Sequence, residues 1–392
     1  MEAAPASAPA PAARSMGSVL HLVLPGCPME RPALSLRPGR WSQGSRRIVT
    51  GADAAVWACT ACVAAAPDVH HRVIVFGGNA AGERAAAMGL AADGRIAPPF
   101  SRPELAASAV AAVIASGPTP DVIQCWGGDF ALLRDRLAPR TPRSTWMIAD
   151  MHAGVLEVRD NATPHDPLTQ ALTPWLEPGA KPLIDRASVR TRLGVAEEEL
   201  LVTLVGDPPA AIDALPALYA LGILHVAGVR ATLVLPRGCG QFDRALRHVH
   251  QGGYLHGLRV TDEPLSLIAV GCDLGICAPL SWSENEPLCE PSFSTKLAVA
   301  RAAALGLPVM MPTSPWAERL LPIGAHACLT PPGDHAALAK QIFGLLEEGR
   351  RPLRACRAEL LTRSVSGPER GMTEEVVGAW RRMLAKVGRG GS

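Results

Sequence analysis

Twice along this chain, short apolar runs of strand length alternate with Ala- and Leu-rich stretches of helical length, and a proline-dense connection separates the two series. Strands buried on both faces read as continuous apolar runs, because helices cover each face of a parallel sheet. The expected fold class is therefore α/β, with two doubly wound sheets. In the first series the strands are expected over Val19–Leu24, Arg47–Val49, Val73–Phe76, Val122–Cys125 and Thr145–Ala149. Helices are expected over Ala54–Ala66, Gly82–Met88, Pro103–Ala115 and Phe130–Leu137.

The separating segment, residues 160–182, holds Pro164, Pro167, Pro174, Pro178 and Pro182, a density that resists regular structure and suits a linker. Beyond it, strands are expected over Leu200–Val205, Ala231–Leu235, Leu307–Met311 and Ala325–Leu329, with further strand-length apolar runs at Leu258–Val260, Ser266–Val270 and Asp273–Cys277. Helices fall over Ile212–Gly228, Phe242–His250, Thr295–Leu305 and His335–Glu348. In the tail, Met372, Val376, Val377, Trp380, Met383 and Leu384 share one helical face, so the tail is expected to dock.

A chain of 392 residues exceeds what one core usually holds. The expected division is a disordered Ala/Pro leader over 1–15, a Rossmann-like domain over 16–180, a second over 181–366, and a C-terminal helix and tail over 367–392. Lys plus Arg number 38 against 36 Asp plus Glu, a balance that argues against nucleic acid as the main partner. The longest apolar stretches fall short of a membrane span or carry Pro, Gly or His. A cytoplasmic protein is expected, and heavy use of Ala, Gly and Pro suggests a GC-rich bacterial genome.

Metal chemistry finds little support. Cys59 and Cys62 form a lone C-x-x-C inside an apolar run, where small buried thiols are common filler, and a zinc ribbon needs a second pair. His70-His71 and the set His248, His250 and His256 lack the spacing of a metal motif. No metal and no cofactor are expected. Gly77-Gly78-Asn79-Ala-Ala-Gly82 misses the dinucleotide spacing, and a tight strand-to-helix turn explains it.

Asp185-Arg-Ala-Ser-Val-Arg190-Thr-Arg192-Leu-Gly194-Val195 is similar to the entry to the second domain in glycosyltransferase family 4 enzymes of the GT-B fold. Arg301-Ala-Ala-Ala-Leu-Gly306-Leu-Pro308-Val309 looks like the family's E-A-x-A-x-G-x-P-V segment, and Cys328-Leu-Thr-Pro-Pro332-Gly333-Asp334 with Leu338 resembles its closing motif. In the first half, Pro120-Asp121-Val-Ile-Gln-Cys125-Trp126-Gly127 and Asp150-Met-His152 are fainter matches. The resemblance spans residues 70–390. It implies two Rossmann-like domains facing across a cleft, a nucleotide-diphosphate-sugar donor, an acceptor hydroxyl on a glycan, lipid or small molecule, and usually retention of anomeric configuration. Family members often touch the bilayer, which makes peripheral membrane contact an implication too.

Such chemistry needs groups that hold a diphosphate and stabilise negative charge as the sugar–phosphate bond breaks. A helix N-terminus supplies unpaired N–H groups and a favourable dipole. Ser294-Thr295-Lys296 opens a helix and is the best donor-phosphate candidate, with Gly206, Arg237 and Glu290 as further donor-side residues. Gly127, Gly128 and Asp129 are acceptor-side candidates, because the glycines admit a ligand to the backbone and Asp129 could accept hydroxyl hydrogens. Asp150 and His152 are the catalytic candidates, two apart at a strand's end, where His152 could orient an acceptor hydroxyl or carry its proton.

This sequence departs from the family pattern at the donor side. Asp207 follows Gly206 where the family carries a phosphate-facing Arg, and Phe293 and Arg301 stand at the two positions that are usually glutamates. Three readings follow: a donor site rebuilt with Arg237, Lys296 and Glu290, an unusual donor, or a catalytically inactive scaffold that binds glycans or partner proteins. A sugar-nucleotide epimerase on the same plan has no motif of its own here.

Overall fold

The computed structural model describes residues 17–23, 53–96, 103–127, 131–151, 155–160, 168–172, 184–207, 209–253, 257–279, 291–320, 329–330, 334–366 and 371–389. In chain order the first half contains β1 (Ser18–Val23), α1 (Asp53–Ala65), β2 (His70–Phe76), α2 (Gly78–Ala87), β3 (Gly94–Ile96), α3 (Pro103–Ala115), β4 (Val122–Trp126), α4 (Ala131–Leu137), β5 (Thr145–Asp150), β6 (Val155–Asp160) and β7 (Leu168–Ala171). Their order in the sheet is β3-β2-β1-β4-β5-β6-β7. β1 to β5 pair in parallel, while β6 and β7 add an antiparallel edge.

The second half contains α5 (Arg186–Leu193), β8 (Leu200–Leu204), α6 (Leu215–Val226), β9 (Ala231–Pro236), α7 (Phe242–Gly252), β10 (Leu258–Thr261), α8 (Leu265–Gly271), β11 (Leu274–Ile276), α9 (Phe293–Ala304), β12 (Val309–Pro312), α10 (Pro315–Leu320), β13 (Leu329–Thr330), α11 (His335–Ser366) and α12 (Met372–Arg389). Its sheet runs β10-β9-β8-β11-β12-β13, parallel throughout. Both sheets therefore share the 3-2-1-4-5-6 strand order of doubly wound folds.

The central strands are predominantly apolar, with Gln124 in β4 and Thr203 in β8 as buried exceptions. All five residues of β4 and all five of β8 are buried, as strands covered on two faces must be. Local signals set the helix ends. Asp185 caps α5 by accepting from the Ser188 N–H at 2.9 Å, and Gly194 ends the helix with φ 66°. Gly77 turns the chain from β2 into α2 with φ 119°, as expected of a tight strand-to-helix turn.

Three expectations change. The proline-dense segment holds β7, whose Leu-Thr-Gln-Ala pairs with β6 at the sheet edge, so regular structure extends further than the prolines suggested. The run Ser266–Val270 lies in helix α8, packed on α5, because an apolar run of that length has no period that separates strand from buried helix. The helix expected over His335–Glu348 is followed, past Gly349 and Arg350 at φ 66°, by a further helical stretch to Ser366. The expected strand Arg47–Val49 lies outside the described residues.

The tail docks as its apolar face requires. Met372, Val376, Val377 and Trp380 of α12 are buried, and α12 returns to pack on α1 and β4 of the first sheet. Trp380 donates its indole N–H to Gln124 Oε1 at 3.0 Å. Beside it, Trp126 donates to His21 Nδ1 at 3.2 Å and His21 Nε2 lies 2.9 Å from His71 Nδ1. His71 Nε2 in turn bonds Ala66 O at 2.8 Å. With each ring neutral, one proton per ring satisfies the whole series. Burial holds both imidazoles below the usual histidine range, His21 strongly so.

Cys59 and Cys62 are buried in α1 with free thiols, and burial pushes the Cys59 thiol well up. They fill core, as the lone C-x-x-C suggested. No helix among the described residues is long and apolar enough to cross a membrane.

Candidate interdomain site

Open α/β sheets bind ligands outside the carboxyl ends of their strands, at the point where the strand order reverses. Here the reversals lie between β1 and β4 and between β8 and β11. The second reversal is followed by Val205-Gly206-Asp207 on one strand and Cys277-Ala278-Pro279 on the other. Two helix N-termini converge on it, α9 from the same half and α1 from the first half, and the residue that joins them is Asp207.

Asp207 is buried, and its carboxylate accepts the backbone N–H of Ala54, in the first turn of α1, at 2.9 Å. Its carbonyl oxygen accepts from Ser294 Oγ at 2.8 Å, Thr295 Oγ1 at 2.8 Å and Ser292 Oγ at 3.4 Å. Ser292 is the N-cap of α9, accepting the Thr295 N–H at 3.3 Å. One aspartate thus ties the end of β8 to α9 by its backbone and to α1 by its side chain. Gly206 precedes it because the backbone passes close to Ile212, whose Cδ1 would lie 2.2 Å from a Cβ there.

Trp57 of α1 and Leu204, Gly206, Asp207 and Leu265 of the second half line a pocket of about 20 Å³ at this seam. That volume suits a single water.

The candidates from the sequence distribute as follows. Ser294 and Thr295 are at the seam and buried, but their hydroxyls are engaged by Asp207 O, and the cap itself is Ser292, two residues earlier. Lys296 is half-buried in the first turn of α9. Arg237 follows β9 at the carboxyl end of the sheet and pairs with Asp262 at 2.9 Å, both groups well exposed. Gly127 follows β4 with φ 70°, and Asp150 is the exposed last residue of β5. Residues 128, 129, 152 and 290, hence Gly128, Asp129, His152 and Glu290, lie outside the described residues.

Arg301, on α9, is largely buried and its Nε has no hydrogen-bond partner among the described residues. Burial lowers the pKa of its guanidinium. The residues that the sequence did not single out are Ala54, Trp57 and Ser292. Ser292 carries a local signal, a serine one residue before the helix. Ala54 and Trp57 carry none, since their role comes from contact with the other half.

No family model and no curated protein matches this chain. Solved structures do. HepE (Alr3699) of Anabaena, in complex with UDP and glucose, superposes with a TM-score of 0.56 at 14% identity over 94% of this chain and 99% of that one. A glycosyltransferase from Rickettsia africae ESF-5 gives 0.52 at 10% identity over 94% and 98%. WaaG, a glycosyltransferase involved in lipopolysaccharide biosynthesis, gives 0.52 at 15% over 92% and 99%. With two sheets of the same doubly wound order in one chain, this likeness establishes the architecture: the protein has the α/β GT-B fold, built from two Rossmann-like units.

Proposed function

We propose that this protein is a family 4-like glycosyltransferase that moves a sugar, a hexose in the simplest case, from a nucleotide-diphosphate-sugar onto an acceptor hydroxyl with retention of configuration. The observation that carries the proposal is the convergence of the N-termini of α1 and α9 at the strand-order reversal of the second sheet, met at Asp207. The dipoles of two such N-termini favour an anion, the chemistry a leaving diphosphate requires, although the Ala54 N–H is already taken by Asp207 and the Thr295 N–H by Ser292. Its support from comparison is that solved structures of the same fold hold UDP and UDP-glucose.

In this reading the donor diphosphate approaches the α9 N-terminus beside Gly206, with Lys296 as its counter-charge and Arg237 and Glu290 as further donor contacts. The acceptor lies on the side of Gly127, Gly128 and Asp129. The bond to the β-phosphate oxygen breaks, the nucleoside diphosphate leaves with the electron pair, and the acceptor hydroxyl bonds to the anomeric carbon on the face the leaving group vacates, so that configuration is kept. Asp150 and His152 hold the acceptor and take part in moving its proton. No cofactor is needed. A glycan, lipid or small molecule serves as acceptor in the cytoplasm or at its membrane face.

The scaffold reading has an observation of its own. Asp207 already places a carboxylate at the α1 N-terminus, and Arg301 replaces a family glutamate on α9. Incubation of the purified chain with a panel of nucleotide sugars, read by binding and by release of nucleoside diphosphate, decides between them. Turnover of a donor supports the enzyme. Binding of glycan with no donor bound or turned over supports the scaffold.

A further inference from the structure

We propose that the pocket between α5 and the second part of α11 binds a small anion carrying a phosphate group, at a site separate from the interdomain seam. The pocket has a volume of about 280 Å³ and is lined by Arg186, Arg350, Arg354 and Arg357 together with Glu197 and Asp273. Four cations face two carboxylates, which leaves two positive charges uncompensated at the walls.

The carboxylates are spent on the floor. Asp273 takes Arg186 Nη2 at 2.7 Å, the buried Arg190 Nη1 at 3.2 Å, Arg350 Nη1 at 3.6 Å and the Leu201 N–H at 2.9 Å. Glu197 receives Arg186 Nε at 3.2 Å and also lies beside Arg190. Arg354 and Arg357 pair with no carboxylate among the described residues. Arg354 donates to Gly349 O at 2.6 Å, and Arg357, half-buried, has no hydrogen bond among the described residues and faces the charge of Arg186, with Asp273 and Glu197 as more distant opposite charges. Burial and that like charge lower the pKa of the Arg357 guanidinium.

The backbone sets up the wall. Gly349 and Arg350 both have φ 66°, which interrupts the right-handed path of α11, and Pro352 restarts it. Arg354 and Arg357 then fall three apart on one face of the restarted helix, and Arg350 lines the same pocket from the interruption. A planar guanidinium matches phosphate oxygens in pairs, so this face suits a phosphomonoester or diphosphate. Asp273 immediately precedes β11, whereas Gly206 and Asp207 follow β8. The two sites thus lie at opposite ends of the second sheet.

Calorimetric titration of the full chain with inorganic pyrophosphate tests this, with sedimentation against phosphatidylglycerol vesicles as a second arm. The expected result is saturable pyrophosphate binding that weakens about ten-fold or more in Arg354→Gln/Arg357→Gln, as loss of charge-assisted bonds to phosphate implies. Arg381→Gln, which alters a cation of α12 that pairs with Asp68 of the first half, is expected to keep this binding, and circular dichroism confirms that both variants fold. Vesicle binding lost in the double variant, without pyrophosphate binding, assigns the phosphate to a lipid headgroup. Absence of binding in both arms, or binding untouched by the double substitution, overturns the proposal.

Discussion

The Asp207 carboxylate accepts the Ala54 N–H at 2.9 Å, so the first turn of one half's helix is capped by a residue of the other half. A negative charge already occupies the helix end that an anionic substrate would approach. Asp207→Asn keeps an acceptor oxygen and removes the charge, a change worth about 0.3–2 kcal/mol at a helix N-terminus. The expected outcome is a modest fall in melting temperature with tighter UDP-glucose binding by calorimetry, because less repulsion opposes the diphosphate.

Ser292 caps α9 and touches Asp207 O, so its hydroxyl serves helix and seam together. Ser292→Ala is expected to cost about 0.5–2 kcal/mol of stability, the usual range for a lost N-cap, in urea unfolding. Ser292→Asn restores most of the loss, since asparagine caps well.

Trp380 anchors α12 against the first sheet, fully buried and bonded to Gln124. Trp380→Ala is expected to destabilise the protein by about 3–5 kcal/mol through the cavity it leaves, with Gln124 Oε1 also losing its donor. Trp380→Phe retains most of the packing and loses the bond, so a clearly smaller effect is expected in the same unfolding experiment.

The pair His21 and His71 makes stability depend on pH. In the unfolded chain both rings titrate near the ordinary value of 6.5, while in the folded chain burial holds them lower. Between those two values the unfolded state binds more protons, so stability is full above the ordinary value and is lost as pH falls below it. Melting temperature is expected to drop between about pH 7 and about pH 5, and His71→Gln to flatten that slope. Trp380 packs against both rings, at 5.2 and 5.7 Å between centroids. Its fluorescence is expected to follow the same pH change.

The sequence shows most of the central strands and the docking face of α12 because both are patterns of apolar residues in local order. It does not show β3 or β7, whose Gly-Arg-Ile and Leu-Thr-Gln-Ala are short edge strands defined by the neighbour they pair with. At the site, Ser294-Thr295 falls in the first turn of α9, whereas the capping residue is Ser292, an equally local signal two residues earlier. Asp207 is legible as an anion in an anion-binding place. Its role as a cap is not, because Ala54 lies 153 residues away and bears no mark of its own. Arg237 is legible as a cation after a strand, whereas its pairing with Asp262 depends on how β9 and β10 align.

Equilibrium binding of UDP-glucose to the intact chain, compared with Lys296→Gln and Asp207→Asn, tests the central claim most directly. The account predicts saturable binding that weakens when Lys296 loses its charge and tightens when Asp207 loses its own. No binding by the unmodified chain across UDP-, GDP- and ADP-sugars, or affinities unmoved by both substitutions, would contradict it.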